Sequence, residues 1–289
     1  MVLAPDPSRD VIRASASDSG MSDDGIQDRP AHLAATFNRM GAGYDGRPGY
    51  PDAVFRLLAE RGLAPGSRVL EIGPGTGQAT LPLLDRGAVV TAVEPGEELA
   101  RLLRERCAGR PFVVIVDAFE TAALPDEQFD LVVAATAFHW VDPDIGIARA
   151  AAHLRAGGHL ALWWALWGDS DREDPFHERL EPILRAKAPH LVAPHASLPV
   201  YLNDIVSRMR RIDASGLFDP VEQDSITWDG VHSPSELRDM FATFAAWIAL
   251  PEPLRNDLLD DVERLARDEF DGNVTRPYRV MFFSARRSG

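Results

Sequence analysis

The chain has 289 residues, of which 45% are apolar, a formal net charge of −14 and a single cysteine, Cys107. That is enough apolar material for one sizeable core or two modest ones. The acidic balance argues against a nucleic-acid partner, because such binding rests on Lys and Arg neutralising phosphates. One cysteine permits neither an intrachain disulfide nor a thiolate metal cluster.

Residues 1–30 are rich in Ser, Asp, Pro and Gly and read as a flexible tail, within which Met21 is a candidate start. They lack the basic-then-apolar pattern of a secretory signal, and no apolar run reaches the ~18–20 residues of a membrane span. A cytoplasmic protein with no membrane partner is expected. Residues 31–289 are expected to form one domain.

A helix is expected over 31–40, with Leu33, Phe37 and Met40 on one face, followed by the turn-forming GAGYDGRPGYP at 41–51. DAVFRLLAERG (52–62) reads as an amphipathic helix closed by Gly62. The pattern then alternates. RVLEI (68–72), AVVTAVE (88–94), PFVVIVD (111–117), FDLVVAAT (129–136) and HLALWWAL (159–166) read as strands. Helices are expected at 78–87, 97–107 and 143–158. The strands are continuous apolar runs, as expected where both faces are covered. Strands separated by helices imply crossovers and a parallel sheet. After residue 168 the rhythm changes. Helices are expected at 176–187, 200–214, 233–250 and 253–269, and strands at 218–230 and 277–287. Ser233, Pro234 and Glu236 have the spacing of a capping box. Arg208, Arg210 and Arg211 read as a solvated helix face. The expected architecture is an α/β, Rossmann-like, doubly wound and mostly parallel seven-stranded sheet with a helical lid. Lid segments are expected near 31–51, 169–216 and 231–270. Ligand should bind beyond the carboxyl ends of the strands.

The stretch VLEIGPGTGQAT (69–80) is a strand running into a glycine turn and a helix. Glycines there let the chain bend sharply and let a ligand approach the backbone. A nicotinamide-dinucleotide fingerprint needs G-x-G-x-x-G, but Gln78 stands where the third glycine would be. No G-K-[S/T] follows, so the turn is not a nucleotide triphosphate loop. The second strand ends at Glu94, twenty-one residues beyond Gly73, where a carboxylate can accept both hydroxyls of a ribose. The third ends at Asp117, followed by Ala118 and Phe119, which suits an adenine amino group and its flat ring. Together these make a site for an adenosine without a pyrophosphate.

The sequence resembles the class I S-adenosylmethionine-dependent methyltransferases over most of residues 35–289. V-L-E-I-G-P-G-T-G is similar to the family's first motif. Glu94, D-A-F at 117–119, F-D-L-V-V-A at 129–134 and L-R-A-G-G-H-L at 154–160 follow in the family's order. The resemblance implies S-adenosyl-L-methionine as cofactor. It implies that Glu71 and the backbone at Gly73 and Gly75 hold its methionine portion, that Glu94 binds the ribose, and that Asp117 and Ala118 contact adenine, with Phe119 beside them. Gly77, Gln78 and Thr136 are grouped with these cofactor contacts, although Gly77 reads equally as a packing glycine. Y-D-G-R-P-G-Y-P at 44–51 and A-F-H-W-V-D at 137–142 resemble the branch that includes trans-aconitate methyltransferase-like enzymes and small-molecule methyltransferases of bacterial secondary metabolism.

Methyl transfer from a sulfonium needs alignment in a dry site, and a base only where the acceptor holds its proton firmly. His139, just after the fourth strand, is the candidate base, with a pocket-lining or packing role as alternatives. Arg47 is a candidate partner for the methionine carboxylate and Tyr44 a cap on the methyl site; a packed turn is the alternative for both. Phe37, Trp140, Trp164, Phe241 and Phe244 are candidate acceptor contacts, although apolar patterning at such positions also describes ordinary core. His177, His190 and His195 have no metal-binding spacing. The expected activity is methylation of a small organic acceptor, on oxygen by preference. A nicotinamide-dependent oxidoreductase and a non-catalytic cofactor-binding scaffold are the alternatives. Homo-oligomerisation is left open.

Overall fold

The computed structural model describes residues 46–126, 128–192 and 197–289. The expected tail, the helix at 31–40, Phe37, Tyr44 and His195 lie outside the described residues.

Helix α1 (Asp52–Glu60) buries Val54, Phe55 and Leu58 and stops before Gly62, whose φ is +106°. The central sheet then builds from β1 (Arg68–Ile72), β2 (Val89–Val93), β3 (Phe112–Ile115), β4 (Phe129–Ala135), β5 (Leu154–Leu166), β6 (Glu222–His232) and β7 (Val274–Arg286), in the spatial order β3-β2-β1-β4-β5-β7-β6. Pairs from β3 to β5 are parallel; β7 runs antiparallel to both β5 and β6. The crossovers are α2 (Thr80–Asp85), α3 (Glu97–Arg106) and α4 (Pro143–His153). Consecutive strand residues point to opposite faces. On β5, Trp163 accordingly packs into one core with Val69, Leu131 and Phe282, while Trp164 packs into the other with Leu162 and Phe283. Both indoles are fully buried, which is why β5 reads as an uninterrupted apolar run.

Beyond β5 the chain adds α5 (Pro175–Lys187), α6 (Ser197–Ser215), α7 (Pro234–Ala242), α8 (Ala245–Ile248) and α9 (Glu252–Glu269). Helices α5, α7, α8 and α9 enclose a third core with Val274 and Tyr278 of β7. Buried Arg276 ties this cap to the sheet. Its Nε and Nη2 donate to Asp174 Oδ2 at 2.9 and 2.6 Å, and its guanidinium lies 5.5–5.9 Å from the rings of Phe176, Phe241 and Tyr278. No helix among the described residues is long and apolar enough to cross a membrane.

Three expectations are corrected. The helix expected over 143–158 ends at His153, because Leu154 already pairs with Phe129 of β4. Gly157 and Gly158 are not a helix stop. They form an irregularity within β5, where register shifts between Phe129 and Leu131 and Gly157 takes a φ of +74°. The helix expected over 233–250 starts at its capping box but breaks at Thr243, whose hydroxyl donates back to the Met240 carbonyl at 2.7 Å. The segment 169–216 is not one lid. Helix α6 covers the sheet instead, burying Ile205, Met209 and Ile212 against Leu160, Leu162 and Phe283.

Gly77 has a φ of +100°, and a Cβ there would lie 2.7 Å from Leu103 Cδ1 of α3. Gly77→Ala should therefore lower stability by about 1–3 kcal/mol, read as a lower urea midpoint at unchanged m-value.

Candidate active site

Strand β1 is flanked by β2 on one side and β4 on the other, so the chain leaves their carboxyl ends in opposite directions and a crevice opens there. An open cleft occupies it, with about 1040 Å³ of free space counting the solvent at its mouth. Its floor is the glycine turn after β1; its walls are the loops after β2, β3 and β4 and residues 47–50.

The glycine turn is built for close approach. Gly73 and Gly75 have φ values of +63° and +57°, in the left-handed region that favours glycine. A Cβ on Gly73 would lie 2.7 Å from Ala137 Cβ. Buried Glu94 fixes the turn to the end of β2. Its Oε2 accepts the Gly75 amide at 3.1 Å and its Oε1 the Gly96 amide at 2.9 Å. Each oxygen retains a second lone pair, so the carboxylate is held in one orientation with capacity to accept from a ligand. Burial raises its pKa, and the Gly96 and Gly75 amides oppose the rise. Below the turn, fully buried Glu71 accepts the Thr80 hydroxyl at 2.7 Å on Oε2, while Oε1 has no hydrogen-bond partner among the described residues. Burial pushes its carboxyl up to about 7; the Thr80 bond opposes this and the Glu94 charge adds to it.

The wall after β4 begins at Thr136, whose φ of +54° is an outlier for a β-branched residue. Such strain costs on the order of 1–3 kcal/mol and persists only where the surroundings over-determine it. Here the Thr136 amide donates to the Trp163 carbonyl at 2.7 Å, and its hydroxyl accepts the Ala165 amide at 3.3 Å and bonds to the Tyr50 hydroxyl at 3.0 Å. A 3₁₀ turn, Phe138–Trp140, follows and presents half-exposed Trp140 to the cleft. His139 is not among the residues that line the cleft, and its Nδ1 accepts the Trp164 indole N–H at 3.1 Å. Burial first, then the nearby Arg208 charge, lowers its pKa to about 4. Across the cleft, Arg47 donates from Nε to the Thr243 hydroxyl at 3.1 Å and from Nη2 to the Thr243 carbonyl at 3.2 Å, joining residues 47–50 to the end of α7.

A sequence profile described as a methyltransferase domain matches residues 70–162. The chain is 32% identical over 232 residues to an uncharacterised methyltransferase of Mycobacterium tuberculosis, an alignment that spans 78% of this chain and 83% of that one. It belongs to the class I S-adenosylmethionine-dependent methyltransferases. Among solved structures, a protein of Anaeromyxobacter dehalogenans provisionally described as a type II methyltransferase superposes with a TM-score of 0.54 at 26% identity, covering 83% of this chain and 96% of that one. A phosphoethanolamine N-methyltransferase of Haemonchus contortus, bound to phosphomonomethylethanolamine and S-adenosylhomocysteine, gives 0.52 at 15% identity, over 91% of this chain and 59% of that one; this likeness is one of fold.

The methyltransferase uses S-adenosylmethionine, and its cleft suits that cofactor. Glu71 is fully buried beneath the turn and is not among the residues that line the cleft, so the expected direct contact with the cofactor is not formed there, whereas the pre-oriented Glu94 carboxylate lines the cleft with lone pairs that suit a diol. Arg47, Gly73, Gly75, Gln78, Glu94, Ala118, Phe119, Thr136 and Trp140 all line the cleft. The Gly73 amide donates to the Val93 carbonyl and the Gly75 amide to Glu94, so these glycines offer space and curvature rather than N–H donors. Asp117 stands outside the lining and accepts from the Ala118 amide and the Thr121 hydroxyl, each at 2.8 Å, shaping the loop that brings Ala118 and Phe119 in.

Several expectations are revised. Gly77 is a packing glycine against Leu103 and does not line the cleft. His139 does not fit the role of base. With Nδ1 accepting from Trp164, the neutral ring carries its proton on Nε2 and has no lone pair to offer there. Trp164 is a fully buried core residue that sets this tautomer rather than an acceptor contact. Phe241 and Phe244 pack with Trp247 and Phe176 in the cap core, away from the cleft. Conversely, the sequence reading passed over Tyr50 and Glu120, which both line the cleft. Tyr50 belongs to the same Y-D-G-R-P-G-Y-P stretch as Arg47, a signal that was available; Glu120 sits in an ordinary loop and had none.

The folded protein holds the Glu71 proton more tightly than the unfolded chain, whose Glu titrates near 4.3, so this group's contribution to stability falls as pH rises through 7. Between pH 5.5 and 8 the cofactor-free enzyme should lose about 2 kcal/mol of unfolding free energy relative to Glu71→Gln, measured by urea titration at each pH.

Proposed function

We propose that the enzyme methylates an oxygen of a small, flat organic acceptor that is already ionised, a carboxylate or an acidic phenol. The carrying observation is the ionisable set of the cleft. Among the described residues that line it, only Arg47, Tyr50, Glu94 and Glu120 carry ionisable side chains. Both carboxylates are engaged with backbone amides, Glu94 with those of Gly75 and Gly96 and Glu120 with that of Asp142 at 2.8 Å. No histidine or lysine is among them, so an acceptor that must first lose a proton finds little help, whereas a preformed anion needs none. The hydroxyls of Tyr50 and Thr136 favour an anionic oxygen over an amine. The indoles of Trp140 and Trp167 favour a flat one. The likeness of residues 44–51 and 137–142 to the trans-aconitate methyltransferase-like branch supports a small acceptor of this kind.

In this reading Glu94 accepts both ribose hydroxyls, Ala118 and Phe119 flank adenine, and Asp117 acts by shaping their loop. The space above Gly73 and Gly75 receives the methionine portion, with Glu71 buried beneath the turn, Gln78 beside the ligand and Arg47 on its carboxylate. When bound, S-adenosylmethionine would supply an electrophilic methyl to the acceptor oxygen, with its sulfur taking the electron pair of the broken carbon–sulfur bond. The chain's own part is alignment and exclusion of water. Residues 47–50 close over the cleft, and Trp140 walls the acceptor side. Tyr44, outside the described residues, remains a candidate cap on the methyl. The protein is read as a cytoplasmic enzyme without nucleic-acid or membrane partners.

Paired probes test the acceptor. With radiolabelled cofactor, 4-hydroxycinnamate should be labelled and 4-aminocinnamyl alcohol should not be labelled on nitrogen. Mild base distinguishes an ester, which releases labelled methanol, from an ether or amine, which does not. Labelling confined to the amine would overturn the oxygen assignment. Glu94→Ala should weaken S-adenosylhomocysteine binding by roughly 1–3 kcal/mol through lost charge-assisted bonds. Calorimetry showing unchanged affinity would displace the ribose from this position.

A further inference from the structure

Arg208 lies in α6, on the layer that covers the sheet, and the basic cluster it belongs to reads as a solvated surface. The structure buries it: the residue is 5% exposed. Its Nη1 donates to the carbonyls of Phe138 at 3.0 Å and Val141 at 2.8 Å, and its Nη2 to that of His139 at 2.8 Å. Nε is paired with Asp204 at 2.9 Å, one turn earlier. A single guanidinium thus gathers three carbonyls of the turn that follows β4. That turn is cleft wall. Ala137 meets Gly73 so closely that a Cβ on the glycine would lie 2.7 Å away, and Ala137, Trp140 and Val141 all line the cleft.

A second contact holds the turn from α4. Gly146 has no side chain, and a Cβ there would lie 2.5 Å from Val141 Cγ1 and 3.2 Å from Phe138 Cζ. A glycine inside a helix is destabilising relative to alanine by roughly 0.5–1 kcal/mol, so its presence here answers a space requirement. The turn is therefore drawn toward α6 by Arg208 and admitted toward α4 by Gly146.

We infer that Arg208 is a positioning residue for the cofactor cleft, acting through the 137–141 turn on the Gly73 turn and Trp140 without touching ligand itself. Planarity matters, because one rigid fork reaches three carbonyls that a lysine ammonium cannot span in the same way. The inference goes beyond the acceptor assignment and does not rest on it, since its test uses only the cofactor product.

The experiment is calorimetric titration of S-adenosylhomocysteine into the full-length enzyme, well below the melting temperature, alongside urea unfolding. Arg208→Met should raise the Kd about tenfold, and Arg208→Lys about threefold as partial rescue. Gly146→Ala pushes the same turn from the other side and should raise the Kd by a comparable several-fold. Arg211→Met serves as control, because Arg211 pairs with exposed Asp144 at 2.7 Å on the surface of the same helix; it should leave the Kd within about twofold. A merely structural Arg208 would lower the unfolding midpoint and leave Kd unchanged. Folded Arg208→Met and Gly146→Ala enzymes that both bind within twofold of wild type would overturn the inference. If Arg208→Met does not fold, the same criterion applied to Arg208→Lys and Gly146→Ala decides it.

Discussion

Everything in the cleft follows from a constraint of strand order. Strand β1 has β2 on one side and β4 on the other, so the chain turns away from their carboxyl ends in opposite directions and cannot fill the space between them. A crevice at that point is unavoidable. What the sequence around it chooses is how the crevice is lined. The glycine turn keeps side chains out of it, Glu94 locks that turn to the end of β2, and the 137–141 turn closes the β4 side.

Two buried carboxylates stand close to the floor of the crevice. Their burial is unfavourable in the cofactor-free protein, as the upward displacement of both pKa values expresses. Glu71 keeps one oxygen without a partner among the described residues, sealed beneath the turn, while Glu94 faces the cleft with spare lone pairs. The β4 side of the cleft is made differently. Its polar groups include the Tyr50 and Thr136 hydroxyls, and nearby His139, outside the lining, is kept neutral by its burial and then by the Arg208 charge, with its Nδ1 occupied by an indole N–H.

The ordered motifs made the sheet and the cofactor end legible. Apolar runs ending in Glu94 and Asp117, and glycines at 73 and 75, reflect constraints that act within a few residues of chain. Sequence is ambiguous about the cleft's aromatic lining where the same chemical signal has two structural sources. Trp164 and Phe241 are large and aromatic, and only their neighbours decide between core and cleft. His139 carries the residue type of a base, yet its Nδ1 faces Trp164, twenty-five positions away. Arg208 reads as surface within its own helix and becomes buried only because the turn at 138–141 lies over it. The break at Thr243 likewise coincides with its bonds to Arg47, 196 positions distant.

By itself the sequence determined the alternation of strands and helices, the glycine turn, the carboxylate that closes the second strand at Glu94 and, through the ordered set of motifs, the methyl donor. Those features depend on local periodicity and on residue types with little freedom in what they can do. The tertiary structure alone decided which aromatic residues line the cleft, that Asp117 shapes a loop while Ala118 and Phe119 are in the lining, and that His139 is held as a neutral acceptor from an indole. The physical reason is that a side chain's exposure, tautomer and charge are set by groups brought alongside it by folding, and those groups lie far away along the chain.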